Sequence, residues 1–580
     1  MRYDRKRYMR WLAALLIVVL CTNGMNIDKI WSGKRAQAKY YISMTDFYNG
    51  GAFGAEYQMA KTGTPVSIAD WNELQMFLAC LYLDGRTKDV TFVQTEDIKA
   101  SDLTVQAEGA TGRIELLNKG SYQGEMDNQG RFYKEKNGTQ TVSRLEMGLE
   151  DVYLSREKDC YFEGEYQGEG HSISGLMIEG GESYCSGVFG TLKQTASIRD
   201  LTVENCLLID GFGTLSGVND GTVQDCTIRN VAGYGFFMGG VTESNAGTIR
   251  GCNVTGCDFM TDADLNGALP QQRLGGITAG NYGGTIEDCT VTDTHLYGMD
   301  LEDTRIGGIV AEAHFDAPSH TIRGCSSRVI LSGGTYMGGI LGRTDTTTGQ
   351  TQIKDCVCSC TFQDTDQAQA MGGILAEAVK GTSVLLQNCR NESELAIQST
   401  WNGKDNVCMG GIAGSLRGTF TISDCMNQGM IVSEKEDWQD LSLGAMAGGI
   451  VGIANGEESG ILANCQSEGN VTVGQSTENE CAGGIVGFLG NPEAKHIYNA
   501  KNTGAVTGRY AGGLAGYVYG LSGQDMVISN SFSTGVVMGK TTGALIGRMK
   551  HGGMEYCYYK EKSAPDMVGE QEESLLTQCY

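Results

Sequence analysis

Histidine is the first residue type to examine for catalysis, because imidazole exchanges protons near neutral pH. The six copies are His171, His295, His314, His320, His496 and His551. None is followed by Glu, so the H-E-x-x-H zinc-protease motif is absent, as are the G-x-S-x-G nucleophile motif and the P-loop. His314, Asp316 and His320 share one segment, which we expect to be a solvated loop. The absence of these catalytic motifs favours a non-enzymatic protein.

One cluster of polar residues suggests a cation site. Asp262, Asp264 and Asn266 occupy positions 1, 3 and 5 of a calcium loop, and Gly267 follows at position 6. Arg273 stands at position 12, where such loops carry a bidentate Glu. We interpret the segment as a polar turn, with a weak Ca²⁺ site as the alternative. No other metal ion or cofactor is predicted.

Cysteine is the reactive residue that repeats, with 20 copies in 580 residues. A pattern of an apolar residue, two further residues and a cysteine recurs along the chain. Its cysteines are Cys226, Cys252, Cys289, Cys325, Cys356, Cys389, Cys425, Cys465 and Cys557, and Ala500 and Ser531 take the cysteine position in two copies. If the repeats stack in register, these side chains form one inward ladder with Cβ atoms about 4.8 Å apart. A disulfide needs about 3.5–4.5 Å. We therefore expect mostly buried thiols, with several disulfides as the alternative.

A second element, Gly-Gly followed by an apolar residue, alternates with these cysteines along the chain. Its copies begin at Gly239, Gly275, Gly307, Gly338, Gly372, Gly410, Gly448, Gly483 and Gly512, and a Gly-Ala variant begins at Gly543. Together the two elements explain much of the glycine content, which is 84 residues. Self-similarity at this spacing is typical of a repeat architecture.

The residue before each cysteine position predicts a corner in the backbone. It is Gly, Asn or Asp in ten of eleven copies, and these types tolerate the left-handed region. The repeat thus reads as strand, turn, strand, corner, strand and loop, which predicts a parallel β-solenoid with little helix. A β-propeller is the rival, but the shortest repeats, of 26 residues, cannot hold four longer strands.

The two ends of the chain differ from the repeats. Residues 1–38 have the secretory pattern of a basic start, an apolar run over 11–20 and an Ala-x-Ala site at 36–38. An uncleaved anchor or a lipoprotein is the alternative, and no other segment is long and apolar enough to span a membrane. We therefore expect a secreted protein or one on the extracellular cell surface.

Three further regions are predicted. Residues 39–160 form an N-terminal cap region with one helix over about 68–83, since Ser67 and Asp70 begin a capping pattern. The helix carries an apolar stripe of Ile68, Trp71, Leu74, Leu78 and Leu81. The repeats occupy 161–560, and residues 561–580 are an acidic tail.

Two stretches resemble a known family. The stretch from Gly170 to Leu176, with Gly187-Val188-Phe189-Gly190, resembles the opening of bacterial surface β-helices. Residues 483–487 and 502–508 look like the GLUG motif of exported bacterial proteins, which include the non-catalytic part of some IgA-cleaving metalloproteases. The resemblance implies an all-β, right-handed parallel β-helix and an extracellular setting. It implies no chemistry.

The charge and the tryptophans indicate the kind of partner. A net charge of −25 has the wrong sign for nucleic acid. Trp401 and Trp438 lie in long loops of consecutive repeats, so they are candidates for a platform that binds a glycan or a host or cell-surface protein. The alternative is that each tryptophan packs its own loop.

The leading hypothesis is a non-enzymatic β-helix that serves in adhesion, in ligand binding or as a structural spacer. The alternative is a polysaccharide-degrading enzyme, either a lyase or a glycoside hydrolase, on the same fold. A cluster of Asp, Glu and Arg from several coils in one groove would favour the enzyme. A flat face with exposed aromatic residues would favour binding.

Overall fold

The structure is a computed structural model. It describes residues 63–81, 87–100, 160–179, 186–209, 212–261, 271–298, 303–314, 319–398, 405–433, 443–456, 458–491, 495–520, 526–560 and 566–580. Short pieces between them are described at 56–57, 59–60, 107–109, 112–114, 133–136, 139–142, 153–155, 435, 438 and 563–564.

The described chain winds into a parallel β-helix. One coil consists of four strands: Thr304–Gly307, Val310–Ala313, Ser319–Arg323 and Ser326–Ser332. Each strand pairs in parallel with its counterparts in the coils before and after it, as Arg305 does with Tyr336 and Glu312 with Arg343. The first strands build a 13-stranded sheet, the second and third a 28-stranded sheet, and the fourth a 20-stranded sheet. We name these sheets A, B and C.

Sheet A and the second strands of the coils position the candidate site. The strands of sheet A are Phe237–Gly239, Gln272–Gly275, Thr304–Gly307, Tyr336–Gly338, Ala370–Gly372, Leu395–Ile397, Val407–Gly410, Ile431–Ser433, Ala445–Gly448, Val471–Thr472, Cys481–Gly483, Val506–Gly512 and Val537–Gly543. The second strands, in sheet B, are Ser216–Asn219, Thr242–Asn245, Thr278–Asn281, Val310–Ala313, Leu341–Thr344, Leu375–Ala378, Ala413–Leu416, Val451–Ala454, Val486–Gly490, Ala515–Tyr519, Ile546–Glu555 and Val568–Thr577.

The remaining strands complete sheets B and C. Those of sheet B are Val66–Ile68, Thr91–Gln94, Tyr161–Phe162, Glu165–Gln167, Thr191–Leu192, Ser197–Arg199, Thr222–Gln224, Thr248–Arg250, Thr285–Glu287, Ser319–Arg323, Gln350–Lys354, Ser383–Gln387, Thr419–Ser423, Gly460–Ala463, Lys495–Tyr498 and Met526–Ser529. Those of sheet C are Ile98–Lys99, Tyr153–Ser155, Ser172–Ser174, Met177–Glu179, Thr202–Glu204, Leu207–Ile209, Thr227–Arg229, Ala232–Tyr234, Asn253–Thr255, Asp258–Met260, Thr290–Tyr297, Ser326–Ser332, Val357–Cys358, Thr361–Gln363, Arg390–Asn391, Met426–Asn427, Gln466–Ser467, Lys501–Asn502, Phe532–Ser533 and Tyr558–Tyr559. Two antiparallel hairpins, Ala107–Gly109 with Gly112–Ile114 and Tyr133–Lys136 with Thr139–Val142, lie outside these sheets.

The predicted corner before each cysteine position is confirmed. The φ angles of the eleven corner residues lie between +48° and +65°, and even Tyr556 has a φ of 52°. The residue after the corner, such as Cys289, is buried in the core together with Ile286 three positions earlier. The bend therefore lets both side chains face inward, which a straight strand does not allow.

The paired glycines end the strands of sheet A and do not begin strands. In each coil the first glycine ends a strand of sheet A, as Gly307 does, and the second glycine stands in the corner that leads to sheet B. A Cβ on Gly308 would lie 2.1 Å from the backbone oxygen of Gly339 in the next coil. Glycine is required there because successive corners are in backbone contact.

The N-terminal part is a cap that also begins the β-helix. The helix spans Trp71–Cys80, and its N-cap is Asp70 rather than Ser67. The Glu73 N–H donates to Asp70 Oδ1 at 2.9 Å, and the Glu73 carboxylate accepts from the Ala69 N–H at 2.7 Å, which is a variant of the capping box with the return bond one residue earlier. Val66–Ile68 and Thr91–Gln94 already pair within sheet B, so the β-helix starts before residue 161.

The helix closes one end of the hydrophobic core. Phe77 is fully buried, and its ring centroid lies 4.9 Å from that of Phe92 and 5.1–5.8 Å from those of Tyr166, Phe162 and Phe189. A solenoid needs such a cover because its last coil otherwise exposes core side chains.

The C-terminal segment belongs to the β-helix as well. Val568–Thr577, which the sequence assigns to an acidic tail, pairs in parallel with Ile546–Glu555. Its acidic residues find partners in that strand: Glu570 lies 3.5 Å from Arg548, and Glu572 lies 4.0 Å from Lys550.

Candidate functional site

The corner between sheets A and B forms a concave crevice on the outside of the β-helix. Ile306 and Ile309 point into the core, whereas Arg305 in sheet A and Glu312 in sheet B point away from it and contact each other. Side chains that leave the core on both sides of a corner meet only if the outer surface there is concave. The corner is sharp, since a Cβ on Gly414 in sheet B would lie 2.7 Å from the Met371 oxygen in sheet A.

Each wall of the crevice is one row of residues in strict register. The row on sheet A is Phe237, Arg273, Arg305, Tyr336, Ala370, Cys408, Met446, Cys481, Tyr510 and Thr541. The row on sheet B is Ser244, Gly280, Glu312, Arg343, Glu377, Ser415, Ile453, Phe488, Tyr517, Arg548 and Glu570. Adjacent members of a row are about 4.8 Å apart. The crevice thus runs parallel to the axis of the β-helix.

Charged residues line the end of the crevice nearer the N-terminus. The Glu312 carboxylate contacts Arg305 Nη1 and Arg273 Nε. Arg305 donates from Nε and Nη2 to the Asp303 carboxylate at 3.1 and 2.9 Å. Arg343 Nη1 donates to Asp303 at 3.1 Å, and its Nε lies 3.2 Å from Glu377. Acids and arginines from four coils therefore form one connected network.

Burial of this network shifts the pKa values of its members. It raises the pKa of the Glu377 carboxyl and of the Asp345 carboxyl, although neighbouring arginines oppose both shifts. It lowers the pKa of the Arg305 guanidinium, and Arg343 and Arg273 lower it further. Removal from water thus disfavours the charged forms of these groups and is the largest cause of their pKa shifts.

Two histidines lie at the rim of the sheet B wall instead of in the expected solvated loop. His320 is fully buried: its Nδ1 accepts a hydrogen bond from the Gly283 N–H at 3.2 Å, so the proton is on Nε2, which lies 2.6 Å from Thr346 Oγ1. Burial lowers its pKa to about 4. The His314 ring stacks on Tyr282 at 4.5 Å, and burial lowers its pKa to about 3. Both imidazoles are neutral at physiological pH.

Small side chains and unsatisfied polar atoms occupy the middle of the crevice. Ala370 and Cys408 pack with Ala376, and the larger side chains of Tyr336 and Ile453 pack against this cluster. Two polar atoms of this stretch, Asn406 Oδ1 and Ser415 Oγ, have no hydrogen-bond partner within the described protein and are shielded from solvent. Buried polar atoms are normally paired, so each of these two positions suits a buried water.

Aromatic residues line the end nearer the C-terminus. The Tyr517 ring centroid lies 5.4 Å from that of Phe488, 5.6 Å from that of Tyr510 and 6.0 Å from that of Tyr519. The Arg548 guanidinium lies over the rings of Tyr510 and Tyr517, at 5.3 and 5.1 Å, and donates to the Tyr510 hydroxyl at 3.0 Å. Phe488, Tyr517 and Tyr519 are partly exposed, so this end offers ring surface to solvent.

The residues singled out from the sequence lie elsewhere. Trp438 is 4% exposed, lies in the hydrophobic core cluster and donates from Nε1 to Glu480 of the next coil at 2.9 Å, so it does not form an open platform. Trp401 lies outside the described residues. So do Asp262, Asp264 and Asn266, the candidate Ca²⁺ ligands. Among the described residues no group of three or more His, Cys, Asp or Glu could hold a metal ion.

Sequence reasoning missed the crevice because its residues are scattered along the chain. They become visible when the repeats are aligned on the first glycine of each Gly-Gly pair. The sheet A row is then the second position before that glycine, as Arg305 is before Gly307, and the sheet B row is the fifth position after it, as Glu312 is. A motif search along one repeat does not detect residues that become neighbours only when successive repeats stack.

Three comparisons with known proteins add to this description. The family described as "right handed beta helix region" matches residues 186–338, which with the parallel sheets confirms the expected right-handed parallel β-helix. Halomucin of Haloquadratum walsbyi is 30% identical over 90 residues, which are 15% of this chain and 1% of that protein. The chain thus spans a very small part of that relative's length.

A solved structure, described provisionally as an immunoglobulin A1 protease from Bacteroides ovatus, was also matched. It is 14% identical with a TM-score of 0.26, and the match covers 65% of this chain and 80% of the other. No helix in the described part of the chain has the length and apolar character needed to cross a membrane.

Proposed function

We propose that this protein is a secreted or cell-surface β-helix that binds an extended polysaccharide along the crevice, without cleaving it, in adhesion or as a scaffold. The observation that carries this proposal is the cluster of partly exposed aromatic residues at one end of the crevice, Phe488, Tyr517 and Tyr519.

The chemistry of the crevice suits a sugar chain. Aromatic side chains supply rigid apolar surface at low entropic cost, and a sugar ring has an apolar face of C–H groups that packs on such a surface. The Arg548 guanidinium lies over the Tyr517 ring at 5.1 Å and supplies hydrogen-bond donors for sugar hydroxyl groups. A sugar chain would use both features at once.

The location proposed for the protein rests on the sequence pattern of residues 1–38. An extracellular setting is also where free polysaccharide chains are met. The partners of this proposal are therefore glycans of a cell envelope or an extracellular matrix, with a glycosylated surface protein as a related partner.

A second candidate is the polysaccharide-degrading enzyme. It is favoured by the cluster of Asp303, Glu312 and Glu377 with arginines of several coils, which is the arrangement expected for it. Binding ranks ahead of cleavage because each of these carboxylates is already engaged by arginine, and Glu312 is fully buried. A general acid or base must instead reach the substrate within hydrogen-bond distance.

A glycan array probed with the full-length protein tests the proposal. We expect binding to a set of linear polysaccharides, and an affinity weaker by about two- to twelvefold for Tyr517→Ala and for Phe488→Ala, since an aromatic contact is worth about 0.5–1.5 kcal/mol. Phe532→Ala and Tyr558→Ala are matched controls, because these aromatic residues are exposed on sheet C, away from the crevice. Equal losses in all four variants, or no glycan bound, would contradict the proposal.

Product analysis separates binding from cleavage. The bound polysaccharide is incubated with the protein, and new reducing ends are measured together with chain length. An unchanged polysaccharide supports binding. Shortened chains that disappear with Glu377→Gln would favour the enzyme instead.

A further inference from the structure

Solvent-exposed apolar side chains are concentrated towards the C-terminal end of the described chain. Of the eleven large apolar side chains that are exposed in the described residues, ten lie after residue 429. Three of them are aromatic and occupy successive coils of sheet C: Phe532, Tyr558 and Tyr580, which are 38%, 47% and 69% exposed. The Tyr580 ring stacks on that of Tyr558 at 6.1 Å. A contiguous apolar patch of this kind is typical of a surface that contacts another molecule.

The patch belongs to two outward rows of residues on sheet C, which together we name the C face. The first row comes directly after the repeated cysteine position and contains, in successive coils, Met426, Gln466, Lys501, Phe532, Tyr558 and Tyr580. The second row lies two residues later in each coil and contains Gln428, Glu468, Thr503, Thr534 and Lys560. The first row thus ends in aromatic residues, and the second has its acidic residue near one end and its basic residue at the other.

The two charges of the second row have no counter-charge of their own. Glu468 and Lys560 are both exposed, and neither has an ion-pair partner in the part of the chain that the structure describes. The Glu468 carboxylate accepts hydrogen bonds from the uncharged amides of Gln466 and Gln428. The two charged residues are three coils apart, or about 14 Å along the axis, so they do not meet within one molecule.

We propose that two copies of this protein form a homodimer through the C face, packed face to face about a two-fold axis that runs parallel to the strands. Such an axis reverses the order of the coils in the second copy, so each residue contacts a different position of the same face. With the axis midway between Thr503 and Thr534, Glu468 of one copy lies opposite Lys560 of the second copy. The same ion pair recurs on the other side of the axis.

The first row is complementary to itself about the same axis. Lys501 lies opposite Phe532 of the second copy, and an ammonium group is attracted to the face of such a ring. The Lys501 Nζ also lies 5.8 Å from the ring centroid of Phe532 in its own chain, so its charge is already positioned among these rings. Met426 lies opposite Tyr580, which allows a favourable contact between sulfur and an aromatic ring. Neither row places like charges opposite each other.

The charge of the whole protein favours this face over the rest of the surface. Two copies with a net charge of −25 repel each other in most orientations. The C face instead carries two basic residues, Lys501 and Lys560, and one acidic residue, Glu468, so it lacks the general excess of acid. The first row spans about 24 Å, which makes a small interface, and we expect a dissociation constant in the micromolar range. At the submicromolar concentrations suited to a glycan array the protein is therefore monomeric.

Sedimentation velocity of the full-length protein between about 1 and 200 μM tests the dimer, because a micromolar equilibrium shifts across this range. We expect the unmodified protein to change from monomer to dimer. Glu468→Lys and Lys560→Glu should each weaken dimerisation by about tenfold or more, since each places like charges opposite each other on both sides of the axis. Lys88→Glu is the matched control: it changes the net charge as Lys560→Glu does, but this exposed lysine lies near the N-terminal end of the β-helix, so the dimer should persist.

Combining the two reversals identifies the contact. The double variant should regain the dimer, because each pair again joins opposite charges. An equimolar mixture of the two single variants, one of them labelled with a fluorophore, should form a mixed dimer, since one variant contributes only basic residues to the pairs and the other only acidic ones. Both rescues require folded protein, so they separate lost dimerisation from misfolding.

Three results would overturn the proposal. The first is an unmodified protein that stays monomeric up to about 200 μM, which would leave the C face to a different partner. The second is single variants that dimerise as well as the unmodified protein. The third is monomeric single variants that form no mixed dimer, since the predicted pairing of Glu468 with Lys560 requires one.

Discussion

Arg305 and Glu312 face each other across the corner between sheets A and B, with side chains 3% and 0% exposed, and their charged groups are in direct contact. The two residues are separated by the Gly-Gly-Ile corner of a single coil. The two walls of the crevice meet at this ion pair. Arg273 of the previous coil contacts the same Glu312 carboxylate.

Removing one partner of this pair should be costly. Glu312→Gln leaves two buried arginines with one carboxylate fewer, and Arg305→Met leaves a buried carboxylate, so each should lower the free energy of unfolding by about 3–5 kcal/mol. The double variant should lose less than the sum of the two, because it removes both charges. Urea unfolding in a double-mutant cycle measures the coupling. Additive losses would mean that the contact carries no coupling energy.

Protonation of His320 should destabilise the protein in weak acid. Its pKa falls from the ordinary 6.5 to about 4 on folding, so the folded state binds fewer protons than the unfolded state between these values. The stability present above pH 6.5 is therefore lost progressively as the pH falls towards 4. Thermal unfolding at several pH values follows this loss.

The variant His320→Gln isolates that contribution. Asp345 and Glu377 have raised pKa values, so their protonation acts in the opposite direction and is present in both proteins. We expect a smaller decrease in melting temperature between pH 6.5 and 4 for the variant than for the unmodified protein. Parallel curves would show that the pKa of His320 is the same in the folded and unfolded states.

Truncation of Phe77 should loosen the N-terminal end of the β-helix. Phe77→Ala removes a fully buried ring that contacts four other rings, at a cost of about 3–5 kcal/mol. In a solenoid the effect stays near the altered coil. Hydrogen exchange should increase in Thr91–Gln94 and Glu165–Gln167 but not in Ala445–Gly448.

The matched control for the cap is Phe532→Ala. Phe532 is 38% exposed on sheet C at the other end of the stack, so its loss should leave exchange near the N-terminus unchanged. Faster exchange throughout the chain in the Phe77 variant would contradict local capping.

The sequence predicts the backbone of this protein better than its surface. The corner residues such as Asp288 and Asn464 require a left-handed backbone, and the repeated cysteines face the core, so the fold follows from local residue types. The helix is predicted at its centre, but the cap is Asp70 and not Ser67, because Glu73 pairs with Asp70. The observed pattern, Asp70 followed three residues later by Glu73, has the same spacing as the predicted pair Ser67 and Asp70 but begins three residues later.

The crevice was not predicted because it depends on stacking. Arg305 and Tyr336 become neighbours only when coils are in register, and the contact of Arg305 with Glu312 needs the sharp corner. Trp438 was predicted to be exposed because it is a rare residue in a long loop, but its side chain turns inward and donates to the buried Glu480. The sequence does not show whether such a loop folds back on the core.

If a polysaccharide lies along the crevice, its affinity must depend on the length of the sugar chain. The walls from Glu312 to Arg548 span eight rungs of sheet B, or about 34 Å. Calorimetric titration with oligosaccharides of increasing length should show affinity that rises until the ligand spans about this distance and then levels off. Affinity that is already maximal for a disaccharide, or that is unaffected by Tyr517→Ala at every length, would contradict the account.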